Sequence, residues 1–154
     1  MTAHDGVTVR RNGYRGYVAS RPILGSRVPQ HIQNLVLRDY AQRSGIAYLL
    51  SATEYTFPHS YLMLEQVLAE LPSIEGAIAY SLFMMPWRQA RRLETYRRVL
   101  EAGASLRFAV ERLVLKQPAD IADLEDIFLV QQAVLLPQMQ ALTEQVRGYC
   151  RPLD

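Results

Sequence analysis

Short apolar runs alternate with helical stripes along this chain, and that alternation limits the possible folds more than any other feature. Runs rich in β-branched and aromatic residues stand at 14–20, 46–50, 76–83 and 104–110. Between them Ile32, Leu35, Val36 and Tyr40 recur at helical spacing, then Tyr61, Leu64, Leu68 and Leu71, then Ala90, Leu93, Tyr96 and Leu100. Strand–helix–strand repetition of this kind predicts an α/β domain, a three-layer sandwich around a mostly parallel sheet of about four strands. Run 76–83 lacks polar alternation and reads as a central strand covered on both faces.

The helix boundaries follow from local chemistry. Pro29 suits a first turn, where its missing N–H has no intrahelical partner, and Gly45 suits the stop of a helix over 29–44. A second helix follows Pro58 and ends at Pro72, and a third runs from near Pro86 to Gly103 with Arg88, Arg91 and Arg98 facing out. Asp120 can cap a further turn carrying Ile121, Leu124 and Phe128. A last helix, with Pro137 near its start, gathers Met139, Leu142 and Val146. The predicted organisation is a polar leader over 1–13, an α/β domain over 14–130 and a helical extension over 131–154. The apolar tail, with Leu135 and Leu136, predicts a homodimer formed through that extension.

At 154 residues the chain can bury a core without disulfides, and its lone Cys150 suits a reducing cytoplasm. Its net charge of +2 argues against nucleic acid as a partner. No apolar run approaches the roughly 20 residues of a membrane helix, and no segment reads as a secretory signal, so no membrane partner is expected. His4, His31 and His59 lack metal-ligand spacing, and no glycine-rich nucleotide motif occurs, so neither metal nor cofactor is expected.

The candidate site is a set of polar strand ends, since ligands of open parallel sheets sit beyond the carboxyl ends of strands. The first run meets Ser20 and Arg21, the second meets Ser51, Thr53 and Glu54, and the third meets Tyr80 and Ser81. Arg21 and Arg27 can clamp a phosphate or carboxylate, with Gln30 orienting it from a helix N-terminus. Their bland alternative is a solvated loop. Glu54 is the candidate general acid or base; its structural alternative is to accept hydrogen bonds from a neighbouring loop or to pair with Arg21 or Arg27. Ser20 and Ser81 are nucleophiles only if a base activates them; otherwise, with Ser51, Thr53 and Tyr80, they hydrogen-bond a ligand or satisfy backbone groups. Arg88, Arg91, Arg92, Arg97 and Arg98 are interleaved with Glu94 and Glu101, and the spacings 94 to 98 and 97 to 101 read as salt bridges along a helix face.

The words Gly13-Tyr14-Arg15-Gly16-Tyr17, Ser20-Arg21, Gln33-Asn34-Leu35-Val36-Leu37-Arg38-Asp39-Tyr40, Leu50-Ser51-Ala52-Thr53-Glu54-Tyr55 and Tyr80-Ser81-Leu82-Phe83 together resemble the sporadic carbohydrate cluster proteins of bacterial surface-polysaccharide gene clusters. That resemblance implies an accessory enzyme of lipopolysaccharide or capsule synthesis. It would act on a small anionic sugar-like ligand by metal-free isomerase, epimerase or lyase chemistry, with Glu54 moving the proton. The alternative is a non-catalytic scaffold for a pathway enzyme.

A second, weaker resemblance is to the catalytic domain of serine recombinases (resolvases), carried by Gly16-Tyr17, a glutamine early in the first helix and Tyr80-Ser81-Leu82. It implies a resolvase-like rather than flavodoxin-like sheet. The family pattern sets arginine two residues before its serine, where Ala19 and Arg21 stand when Gly-Tyr is aligned. Its acid and arginines after the third strand fall on Ser81, Leu82 and Met85. A DNA-acting protein is therefore the remote alternative.

Overall fold

A computed structural model describes residues 11–149. Its elements are β1 (Arg11–Ala19), α1 (Gln30–Ser44), β2 (Tyr48–Glu54), α2 (Leu62–Glu70), β3 (Ile74–Ala79), α3 (Gln89–Glu101), β4 (Ser105–Phe108), β5 (Leu113–Leu115) and α4 (Asp120–Tyr149). Short 3-10 turns stand at Leu71–Ser73 and Leu82–Met84. The chain divides into two compact units, residues 1–121 and residues 122–154.

The first unit holds one five-stranded sheet in the order β2-β1-β3-β4-β5. Its first four strands are parallel and β5 joins β4 antiparallel, so the mostly parallel sheet gains one edge strand beyond the expected four. After β1 the chain crosses to β2 on one side and then to β3 on the other. The connections leaving β1 and β3 therefore diverge, the switch point at which ligands of open α/β sheets bind.

Pro29 and Gly45 bound α1 as their chemistry requires: Gly45 sits in the left-handed region at φ 65° and its N–H closes on the carbonyls of Ala41 and Gln42. Leu37 and Ala41 of α1 pack with Tyr14, Val18, Ile78 and Ala109 in one buried cluster. Gly76 is fixed by close approach, since a Cβ there would lie 2.0 Å from the Ser105 carbonyl oxygen across β3 and β4.

Three expectations are corrected. Strand β2 lies later than 46–50, because its pairing with β1 slips between Tyr14 and Gly16, where Tyr48 to Ser51 spans one residue more. That bulge on the edge strand leaves Leu50 77% exposed, so an apolar run does not mark the buried strand. The inward face of α3 is Arg92, Thr95, Tyr96 and Val99, with Ala90 and Leu93 exposed. Arg92, with no exposed surface, donates to the carbonyls of Pro86 and Trp87 and so turns the helix away from its hydrophobic phase. Finally, α4 is one helix that runs through Pro137.

In the second unit Leu124 and Phe128 are buried, whereas Leu136, Met139 and Leu142 are exposed. The side chain of Val146 lies outside the described residues, as do residues 1–10 of the leader expected over 1–13, whose residues 11–13 instead open β1. Among the described residues no helix is long and apolar enough to cross a membrane.

Candidate functional site

Parallel pairing sets Ala19 opposite Glu54, so the ends of β1 and β2 meet. There Glu54 is wholly buried. One carboxylate oxygen accepts from the Tyr17 phenol at 2.9 Å and the Leu64 N–H at 3.1 Å. The other accepts from the Tyr55 N–H and the Ser60 hydroxyl, each at 3.1 Å, and from the Met63 N–H at 3.4 Å. Two of these donors lie in the first turn of α2, whose N-terminus favours negative charge. Of the roles open to Glu54, the geometry displays the hydrogen-bonding one: it caps α2 and ties down the loop before it. Burial, and then the charge of Glu54, push the Tyr17 phenol well above its ordinary pKa, so it stays a neutral donor.

Ser20 joins the same end. Its hydroxyl donates to the Glu54 carbonyl at 2.8 Å and accepts from Thr56 Oγ1 at 3.2 Å. Gln33, buried one helical turn into α1, answers both backbone groups of Ala19: Oε1 accepts its N–H at 3.0 Å and Nε2 donates to its carbonyl at 2.8 Å. That side chain completes the end of β1 as a neighbouring strand would.

One strand over, Ser81 donates to Glu111 Oε1 at 2.6 Å while Glu111 Oε2 accepts the Leu82 N–H at 2.9 Å. Ser81 Oγ also caps the Leu82–Met84 turn by accepting the Phe83 N–H. Tyr80 is tied by its backbone to the Tyr17 carbonyl and packs against the α1 cluster. Ser51 departs from this group; it lines an open groove of about 1270 Å³ with Arg15, His31, Asn34, Arg38 and Tyr48, toward the amino-terminal side of β2. Thr53 is half-buried within β2, and Gln30 and Arg27 are exposed.

The arginines separate into two groups. On α3, Arg97 pairs with both Glu94 and Glu101, and Arg98 reaches Glu65 of α2 instead of Glu94. Arg21 instead lies over the Tyr61 ring, 4.9 Å from its centroid, and Arg91 lies over the same ring at 4.7 Å. Arg21 Nη1 donates to the Ser60 carbonyl at 2.6 Å, which fixes its position. Among the described residues no carboxylate pairs with either guanidinium. Arg21 belongs to the connection leaving β1. Arg91 lies in the first turn of α3, the helix that follows β3; that turn carries no acid and no side-chain cap. Two cations from the two diverging connections thus share one aromatic ring.

The fold matches a known architecture. Over 87% of this chain and 99% of the other, it is similar at a TM-score of 0.55 and 11% identity to a resolvase family site-specific recombinase from Streptococcus pneumoniae. The fold is resolvase-like. A looser likeness, TM-score 0.47 and 11% identity over 82% of this chain and 98% of the other, is to the N-terminal catalytic domain of TP901-1 integrase. No protein-family model matches the chain, and no curated protein does.

This corrects the functional expectation. The structural likeness runs to recombinases, and nothing ties this resolvase-like domain to surface carbohydrate, lipopolysaccharide or capsule synthesis. A sugar-like ligand and a pathway-enzyme partner lose their support, and the expectation that nucleic acid is an unlikely partner is withdrawn. Net charge alone says little about partners, because it sums the whole surface while binding depends on local charge.

The sequence singles out Arg21 but not Tyr61 or Arg91, which share a ring contact with it. Tyr61 read as one member of an apolar stripe and Arg91 as one of five arginines on a salt-bridged face. The available signal was that Arg88 just before α3 and Arg91 and Arg92 in its first turn are followed by no acid before Glu94.

Proposed function

We propose that this resolvase-like domain is a nucleic-acid-binding module that holds the phosphate backbone between Arg21 and Arg91. The observation that carries the reading is the pair of guanidiniums sharing the Tyr61 ring without an acidic partner. Like charges brought together are favourable when an anion joins them, and arginine offers phosphate two parallel hydrogen bonds. The start of α3, with no acid in its first turn, adds the positive end of the helix dipole. In this reading the helices cover both sheet faces as a three-layer sandwich, and the protein works in the cytoplasm.

The module binds rather than cleaves. The Ser20 hydroxyl gives its proton to a backbone carbonyl, which cannot serve as a general base. Leu82 and Met85 stand where the resolvase pattern has charged residues. Supporting DNA binding is the kind of partner implied by a site-specific recombinase of the same fold.

Fluorescence anisotropy with labelled duplex DNA at low salt tests this. Binding should weaken about tenfold in Arg91→Ala, the size of one lost charge-assisted hydrogen bond, and disappear in Arg91→Glu. Ser20→Ala should bind as the parent does, and supercoiled plasmid should stay un-nicked by either. Equal affinity in the parent and Arg91→Glu would discard the reading.

A further inference from the structure

Among residues of described burial, Tyr55 and Phe57 are the two aromatic side chains in the exposed class, at 49% and 69%. Both stand in the loop between β2 and α2, beside the arginine pair. Scattered exposed leucines need no explanation, but two aromatic rings kept in water within three residues do.

The loop is not loose. Its first N–H, at Tyr55, and the Ser60 hydroxyl near its end both bond Glu54 Oε1. Ser60 N–H closes on the Phe57 carbonyl at 3.2 Å, and Arg21 Nη1 reaches the Phe57 and Ser60 carbonyls. His59 is held at φ 59°, a left-handed conformation that non-glycine residues adopt at a cost. A buried carboxylate, a guanidinium and a strained turn thus combine to hold the loop's shape while Phe57 remains in water.

We propose that Tyr55 and Phe57 form a stacking platform for unpaired nucleobases, so that the ligand of this site is a single-stranded or locally opened nucleic acid. The inference rests on the phosphate-binding reading above and names the form of nucleic acid it takes. Guanidiniums that track a backbone, set beside aromatic faces that accept any base, are the two parts of sequence-tolerant single-strand binding. A fully paired duplex keeps its bases stacked inside and offers these rings nothing but the backbone. One of the two phosphate-holding arginines also fixes the platform: Arg21 contacts the loop directly, and Tyr61, under both arginines, ends it.

The experiment is anisotropy with labelled oligo(dT), oligo(rU) and a duplex of equal length, at one low salt concentration. The expected result is that both single strands bind more tightly than the duplex, with any difference between them identifying DNA or RNA as the better source of the shared base chemistry. Phe57→Ala should weaken single-strand binding by about 5- to 150-fold, the range for loss of one stacked base, and leave duplex binding unchanged. Phe57→Trp should retain binding and Phe57→Leu should not. Because both rings are exposed, these variants should melt at the parent's temperature, which separates loss of stacking from loss of fold.

Three outcomes overturn the inference. If Phe57→Ala binds all three ligands like the parent while Arg91→Glu binds none, the phosphate reading stands and the platform does not exist. If Phe57→Leu restores what Phe57→Ala loses, the contact is apolar and not stacking, as expected of a protein-docking loop. If no ligand binds the parent, the phosphate reading has failed and this inference with it.

Discussion

At the scale of single residues, the centre of this protein is the Tyr17–Glu54 hydrogen bond at 2.9 Å. A bond to a charged acceptor contributes about 1.5–3 kcal/mol, and its loss leaves part of a buried carboxylate without a partner. Tyr17→Phe should therefore lower unfolding stability at neutral pH by about 2 kcal/mol. The pH dependence carries a second signature. Burial and the neighbouring carboxylate raise the native phenol pKa, whereas in the unfolded chain it ionises near its ordinary value of about 10. Above that pH the unfolded state binds fewer protons than the native state, so stability falls as pH rises, by up to about 1.4 kcal/mol per pH unit. Below about pH 10 the contribution is fully present. Phenylalanine cannot ionise, so the stability curves of parent and variant should converge above pH 10 and meet roughly one and a half units higher. Urea titrations across that range check it; curves that stay parallel would mean that the native phenol ionises as freely as the unfolded one.

At the scale of elements, legibility depended on whether a boundary is set by neighbours in sequence or across space. Helix α1 was readable because Pro29 and Gly45 act within one turn of themselves. The phase of α3 was not, because a buried arginine satisfied by the Pro86 and Trp87 carbonyls has no signature in hydropathy. Strand β2 was misplaced because its bulge comes from pairing with β1, and β5 was missed because three residues carry no periodicity. The candidate site divides the same way. Polar groups at strand ends were visible, but their contacts depend on strand order, which puts Ser20 beside Glu54 and leaves Ser51 in a separate groove. Strand pairing also yields a sharp test. A Cβ at residue 76 would sit 2.0 Å from the Ser105 carbonyl oxygen, which is backbone and cannot swing aside. Gly76→Ala should force β3 and β4 apart and cost about 3 kcal/mol or more. Thermal unfolding that stays within a degree or two of the parent would show that the strands do not approach so closely.

At the scale of the whole molecule, 17 basic side chains nearly balance 15 acidic ones, and the resolvase-like fold is reached at 11% identity to its structural relative. Fold tolerates that divergence because it needs an alternation of strands and helices, while function needs particular groups at particular places. A nearly neutral molecule exerts little long-range pull on a polyanion, so in the proposed module Arg21 and Arg91 should account for most of the electrostatic binding. Each phosphate neutralised releases counterions, giving a slope of log affinity against log salt of about −0.7 per contact for single strands and −0.9 for duplex. With Arg21 and Arg91 engaged, the expected slopes are about −1.4 and −1.8, and Arg91→Ala should bring each down by one contact. Between about 50 and 200 mM salt, single-strand affinity should then fall only about sevenfold, against the thousandfold or greater loss of proteins with extensive phosphate contacts. A slope of −5 or steeper, on the order of six or more contacts, would mean that the exposed arginines of α3 and α1 form a broad basic surface. The binding site would then be that surface rather than the Arg21 and Arg91 pair.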